Sequence, residues 1–383
     1  MFAARRSASR HNDFLAPSLS LSLALLCCVL FSCGSGRNPS SGGAKERGRL
    51  IVYSSHPAAM VAEIVKEFRQ RTGIETVVVS AETGELISRL RDEVRDEARS
   101  AARGTAPENK GEADVFWGGG PESLDSLSDL FSSYRSDESG AIPAEYKDAE
   151  GRWTGFSLNT TVIIYNSRLV PPSEAPRAWR DLTRPFFRGR VAMADPRRSG
   201  SAYTALATML RAIAVPASGT ADGLPGSTES WAFVDSLLAA FDVETLPADS
   251  ARVHGGVAAG EWFAGITFES AALSLKASGA DLGIVYPAEG TSVVPDGVAI
   301  VSSGENRAAA EAFVDFVLGR DVQGVIAEEW MRRGVRSDLV SPAGILPLSS
   351  IPMVDYEGRS AGKEKERVLA EWSRRLSLIS SRP

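Results

Sequence analysis

Cysteine and histidine are nearly absent. The 383 residues include three of each, and Cys27, Cys28 and Cys33 all fall in the first 33 positions. That excludes zinc fingers, iron–sulfur clusters and a disulfide framework. There is no excess of positive charge. Lys and Arg number 42 against 48 Asp and Glu, a net charge of −6, so the basic footprint of a nucleic-acid binder is missing. Long apolar runs are missing too, which argues against a multi-span membrane protein. What remains is ordinary for a folded protein: 43% hydrophobic and 23% charged residues. The length predicts two domains, or three.

The N-terminus is organised. Arg5, Arg6 and Arg10 precede an apolar stretch from Leu19 to Phe31, the pattern of a secretory signal. The stretch is too short for a transmembrane helix and is broken by Ser20 and Ser22. It ends Leu30-Phe31-Ser32-Cys33-Gly34. This resembles a bacterial lipobox, which implies cleavage before Cys33, lipid on its sulfur and a signal peptide over 1–32. The Gly/Ser-rich segment 33–47 reads as a flexible tether. Removing residues 1–32 takes away three Arg and one Asp, a net +2, and leaves −8. Cys33 would then be the one remaining cysteine, acylated, so disulfides and thiol catalysis are excluded.

Downstream, strands and helices alternate. Arg49–Tyr53 is a short apolar strand. Met60, Val61, Ile64, Val65 and Phe68 recur at helical spacing, with Ser55 as N-cap and Pro57 in the first turn. Ile74–Val79 is a second strand, and Leu86, Ile87 and Leu90 mark a second helix. Residues 93–112 are highly charged and read as a solvated helix end and loop. Asp114–Trp117 is a third strand, followed by a short helix over Pro121–Leu130. Trp153–Ser157 and Thr161–Tyr165 read as two strands, and Val191–Ala194 as another. Helices follow over Ala202–Ile213 and about 230–241, with a short one over Val253–Ala259. Strands are expected at Ala264–Phe268, Leu282–Tyr286 and Gly297–Val301. Helices are expected at Asn306–Leu318 and Lys363–Ile379. Such alternation predicts open, mostly parallel sheets flanked by helices. It stops near 140 and restarts near 190, as in two α/β lobes joined by crossing strands, with hinges at Thr161–Asn166 and near Val298–Ser302.

Several segments resemble type II periplasmic substrate-binding proteins. Leu50–Ser55, Ala81–Leu86, Ala113–Gly119 and Tyr165–Ser167 are similar to the N-lobe of that family. Gly260–Glu269, Ile284–Pro287 and Val294–Ile300 are similar to its C-lobe. The nearest group is the ferric-iron-binding-protein-like set of ABC transporter receptors, which includes receptors for sugar phosphates and phosphonates. The resemblance spans about residues 48–345. It implies an α/β two-lobed clamp that closes by hinge bending, with residues 48–163 and 299–383 in the N-lobe and 164–298 in the C-lobe. It also implies an exported, lipid-anchored monomer on the periplasmic side of the cell envelope, delivering a small solute to an inner-membrane permease with a cytoplasmic ATPase. The chain itself has no Walker A sequence. No cofactor is called for.

Iron receptors of this group use two adjacent tyrosines near Thr267–Glu269, and no Tyr-Tyr occurs in the chain. The family's N-lobe carboxylate would fall in Phe116–Gly120, where this chain has glycine. His56 matches the family's N-lobe histidine, but with its spacing from the strand off by one. An organic anion fits the residues better. Ser54-Ser55, Thr83-Gly84 and Ser199-Gly200-Ser201 each place small residues where a strand hands over to a helix. Helix N-termini offer free N–H groups and partial positive charge, and in open α/β sheets they line the crevice. Helix capping alone would also explain each of them. Arg197 and Arg198 precede the third junction. Glu85, Trp117 and Gly118 are further N-lobe candidates, Trp117 for stacking on a sugar face. In similar receptors the positions of His254 and Glu269 face the cleft, which implies contacts to the organic part of the solute. Asp296, after Pro295, reads as a turn residue. The expected function is therefore capture of a phosphorylated-sugar or phosphonate-type anion. Ferric iron, or a thiamine- or polyamine-type solute, is the alternative. No enzyme is expected: there is no G-x-S-x-G elbow, no H-E-x-x-H and no Cys nucleophile.

Overall fold

The computed structural model describes residues 49–105, 112–213, 226–241, 246–340, 344–356 and 358–380. The signal segment, Cys33 and the tether lie outside these residues. The chain opens with β1 (Leu50–Ser54), α1 (Ala58–Thr72), β2 (Thr76–Ser80), α2 (Thr83–Arg103), β3 (Val115–Trp117) and α3 (Pro121–Asp125). β1 pairs in parallel with both β2 and β3, so their carboxyl ends share one edge of the sheet. α1 buries Met60, Val61, Ile64 and Phe68 and stops at Gly73, whose φ of 71° suits glycine. α2 carries into the charged segment as far as Arg103, the solvated helix end expected there. Glu93 is buried on it and accepts from the Tyr53 hydroxyl, which gives the charged stretch a packed face.

β4 (Phe131–Ser132) leads to β5 (Thr154–Asn166). β5 is one strand of 13 residues, where two were expected. Leu158, Asn159 and Thr160 pair with Pro295, Val294 and Val293, so no break occurs between the two halves. Next come β6 (Val191–Ala192), α4 (Gly200–Ala212), α5 (Thr228–Leu238), α6 (Ser250–Ala259), β7 (Ala264–Phe268), α7 (Glu269–Ala277) and β8 (Leu282–Val285). The chain ends with β9 (Val293–Val301), α8 (Arg307–Leu318), α9 (Arg320–Glu328), β10 (Arg333–Gly334) and α10 (Gly358–Ser380).

The sheet order is β2-β1-β3-β9-β5-β7-β6, with β4 on β9 and both β8 and β10 on β5. β5 threads both halves. Its first part pairs β9 and its second pairs β7 and β8, the change falling at Thr160–Thr161. The return passage runs through residues 286–292, between β8 and β9. Separate cores fill the two halves. One gathers Leu50, Phe68, Trp117, Phe156 and Phe313. The other gathers Trp179, Tyr203, Leu206, Trp231 and Leu237, and takes Val368, Trp372 and Leu376 from α10. The C-terminal helix thus packs on the second core, while its Lys365 reaches α3 by donating to the Ser123 hydroxyl at 3.0 Å. The result is an α/β architecture of two halves, each with its own core, threaded by β5.

Candidate functional site

A cavity of about 500 Å³ lies between the two halves, a size suited to a small-molecule solute. Its walls come from the ends of strands and the starts of helices, because both sheet halves point their parallel strand ends toward it. The first residues of α2, α4 and α6 meet there, at Thr83, Gly200 and Ser250. Pro57 before α1, Gly120 before α3 and Phe268 before α7 also line it. α1, α2, α3 and α7 carry no side-chain cap, so N–H groups at their starts are not consumed by capping side chains.

The third junction is hydroxyl-rich. Ser201 and Ser250 share a hydrogen bond of 2.6 Å, and Ser199 lies 3.0 Å from Ser201. Ser199 itself caps α4 by accepting from the Ala202 amide at 3.4 Å, which is the capping alternative read from the sequence. The two halves touch at this point. A Cβ on Gly200 would stand 3.2 Å from the Thr83 side chain, and one on Gly84 would stand 3.1 Å from the Arg198 carbonyl oxygen. Glycine permits that approach.

Of the residues singled out in the sequence, the cavity brings together Ser55, His56, Thr83, Gly200, Ser201 and His254. The other seven sit elsewhere. Ser54 is buried and accepts from the His56 amide at 3.2 Å, shaping the turn. Ser55 lies three residues before the start of α1, whose N-cap is Pro57, so it does not cap that helix. Gly118 has a φ of 137°, and any Cβ there would lie 2.3 Å from the Ser55 hydroxyl; it makes room for Ser55. Gly84 packs on Arg198, and Glu85 is exposed in the first turn of α2. Trp117 is fully buried beneath His56, with ring centroids 4.8 Å apart, and not free to stack on a sugar. Glu269 is buried and holds Arg333 through two bonds of 2.7 and 2.8 Å. Arg197 is forked onto Asp195 at 2.9 and 3.0 Å, so that pair is self-satisfied.

A buried network, read from the sequence only as His56, forms the opposite wall. Asp296 accepts from the Ser157 hydroxyl at 2.8 Å, Asn159 Nδ2 at 2.9 Å and Arg332 Nη1 at 2.8 Å. Burial pushes its carboxyl up, but the His56 and Arg332 charges and these donors hold it below the usual range. His56 is buried too, and burial pushes it down to about 4 against the pull of Asp296. It is neutral at pH 7. His254 is half-buried, its Nδ1 3.3 Å from the Thr267 hydroxyl, and burial lowers it against the opposing pull of Asp249. Glu82 also lines the cavity. Burial and Asp249 raise its carboxyl, opposed by Arg198.

Asp296 was missed because Pro-Asp-Gly reads as a turn. In the structure Pro295 lies inside β9, opposite Leu158 of β5, beyond the part of β9 that pairs β3. Asn159 had a signal, a polar residue within a strand buried along nearly its whole length. Trp330 and Arg332 flank Met331, whose φ of 51° is unusual for a non-glycine residue, and nothing local marks them.

Comparison with known proteins agrees with this architecture. Residues 127–343 match the family described as bacterial extracellular solute-binding proteins. A probable ABC transporter periplasmic-binding protein of Sinorhizobium fredii is 29% identical over 287 residues, 73% of this chain and 72% of that protein. Iron uptake protein A1 of Synechocystis is 25% identical over 339 residues, 82% of this chain and 84% of its own length. The structure of the periplasmic binding protein AfuA from Actinobacillus pleuropneumoniae, with fructose-6-phosphate bound, superposes with a TM-score of 0.75 at 23% identity. It covers 87% of this chain and 99% of that one. The chain belongs to the bacterial extracellular solute-binding proteins.

Proposed function

We propose that this protein is the solute receptor of an ABC importer and captures a small organic anion of the phosphorylated-sugar or phosphonate type. The observation that carries the reading is the convergence of uncapped helix N-termini on one cavity. Ser201 and Ser250 add hydroxyls there. A phosphate oxygen accepts from such N–H and O–H groups, and the helix dipoles favour its charge. Arg332, the one Lys or Arg among the described residues that line the cavity, is already paired with Asp296. Attraction for an anion therefore comes from backbone and hydroxyl donors.

An iron site has less support. Among the described residues no tyrosine lines the cavity, and no group of three His, Cys, Asp or Glu is placed to hold a metal. In our reading residues 1–32 are cleaved, Cys33 carries the lipid, and the monomer delivers its solute to a permease in the inner membrane. Closure bends the chain at Thr160–Thr161 and at 286–292, the two passages between the sheet halves.

A thermal-shift screen of the full chain in mild detergent tests this. The panel holds hexose phosphates, phosphonates, ferric citrate, thiamine and polyamines. A solute that binds only the folded state raises the melting temperature. The expected result is a shift with phosphorylated compounds and none with the parent sugars. Ser55→Asp should abolish that shift, because it sets a carboxylate in the cavity wall. A shift with ferric citrate or a polyamine alone would refute the reading.

A further inference from the structure

The chain crosses between the two halves a third time, outside the sheet path. Val322, Ile326 and Val335 still belong to the first core, and Leu348 packs against it. Tyr356 already packs against the second core, which then takes Val368, Trp372 and Leu376. Thr291 ties the three passages together. Its hydroxyl donates to the Thr161 carbonyl of β5 at 2.5 Å. Its amide donates to the Pro352 carbonyl at 2.9 Å, and its own carbonyl accepts from the Val354 amide at 2.8 Å. From there α10 reaches back to the first half. A Cβ on Gly362 would stand 3.2 Å from the Cα and carbonyl oxygen of Glu122 in α3, and Lys365 donates to Ser123 at 3.0 Å. Burial lowers the Lys365 ammonium, against the pull of the Glu122 charge. Glu122 is fully buried and accepts from Thr204 of α4 at 2.7 Å. α3, α4 and α10 thus hold the two halves together at one place.

We propose that residues 346–356 and α10 form a strap that keeps the halves joined at α3 and makes this contact the pivot on which the cleft opens. This rests on the closure motion read above and is independent of the solute. Sheet order sets the geometry. α3 follows β3, the neighbour of β9. Its Leu124 sits against Gly297 of β9, where a Cβ would lie 2.7 Å away. In a hinge rotation displacement grows with distance from the hinge strands, so α3 moves little. Even a slight separation there would take the Thr204 donor from a buried carboxylate, which is costly. Thr83, Gly84, Arg198 and Gly200 are placed differently. They come after β2 and β6, the two ends of the sheet path. Their close approach forms the outer lip of the cleft, and that is where the halves part.

The test measures two distances by pulsed electron paramagnetic resonance in the solute-free full chain, in mild detergent. Spin labels are attached to genetically encoded keto residues, so the cysteines stay as they are. One pair, Ser88 and Arg198, spans the lip. The other, Asp129 and Glu366, spans the contact between the first half and α10. All four positions are exposed. The lip pair should lie more than about 2 Å beyond its separation in the structure, and the strap pair within about 1 Å of it. Gly362→Leu drives a side chain into the α3 backbone and should lengthen both pairs by more than about 2 Å. Lys365→Met removes the donor to Ser123 without forcing the helices apart, and should lengthen the lip pair in the same direction by less. Lengthening of both pairs in the unsubstituted protein would overturn the strap and leave closure intact, since α10 would then part from α3 as the cleft opens. A lip distance unchanged in both variants would also overturn it. If neither pair departs from the structure in the unsubstituted protein, the halves do not part, and the closure reading fails with the strap.

Discussion

His56 makes the cavity wall sensitive to acid in a calculable way. The unfolded chain takes up a proton on this imidazole near its ordinary value of 6.5, while burial delays uptake in the folded chain to about 4. Between those values the unfolded state binds more protons. Stability is therefore present above the unfolded value and is lost as pH falls through that window. One pKa unit corresponds to about 1.36 kcal/mol, so taking the protein from neutral pH to about pH 4.5 should cost about 2 kcal/mol through this group alone. Asp296 does not confuse the window, because its carboxyl is held below the usual range and stays ionised there. Other carboxylates do contribute, so the measurement is a difference. Urea unfolding of the unsubstituted protein and of His56→Gln is followed at both pH values. The unsubstituted protein should lose about 2 kcal/mol more than the variant. Equal losses would mean that His56 titrates normally. The wall around His56 would then not be desolvated.

Two further substitutions separate structure from binding. Trp117→Ala removes a ring that meets His56, Phe156 and Phe313 with centroids 4.8, 5.0 and 5.4 Å away; it should cost about 3–5 kcal/mol in urea unfolding, and a cost under about 1 kcal/mol with lost solute binding would instead make Trp117 a solute contact. Glu269→Ala leaves the Arg333 guanidinium buried without its carboxylate and should destabilise by about 3–5 kcal/mol; unchanged stability together with weakened binding would put Glu269 in the solute site.

The fold was legible where local pattern and tertiary role coincide. β1, α1 and β2 carry clear periodicity and stand close to their expected positions. Legibility failed where pairing at a distance overrides local signals. β5 looked like two strands because Leu158–Thr160 mixes apolar and polar residues, yet β9 pairs straight through it. In α2 the charged stretch is the solvated helix end expected of it, with Glu93 as the last buried residue; only the burial of Glu93 itself was hidden, because its partner Tyr53 comes from β1.

The site divides along the same line. Ser55, Thr83, Gly200 and Ser201 could be read because a strand-to-helix junction is a local feature, and such junctions share one edge in an open α/β sheet. The opposite wall could not. Asn159 reaches Asp296 only through the β5–β9 register, and Arg332 arrives from 36 residues further along the chain. Position at a junction was also not sufficient. Glu269 begins α7 at the cavity edge, but its neighbours Phe268 and Ser270 line the cavity while its own side chain turns inward to Arg333. A strand-to-helix junction needs only small residues in sequence, which a local reading can find, whereas the Asn159–Asp296–Arg332 wall exists only once the completed fold brings its side chains together.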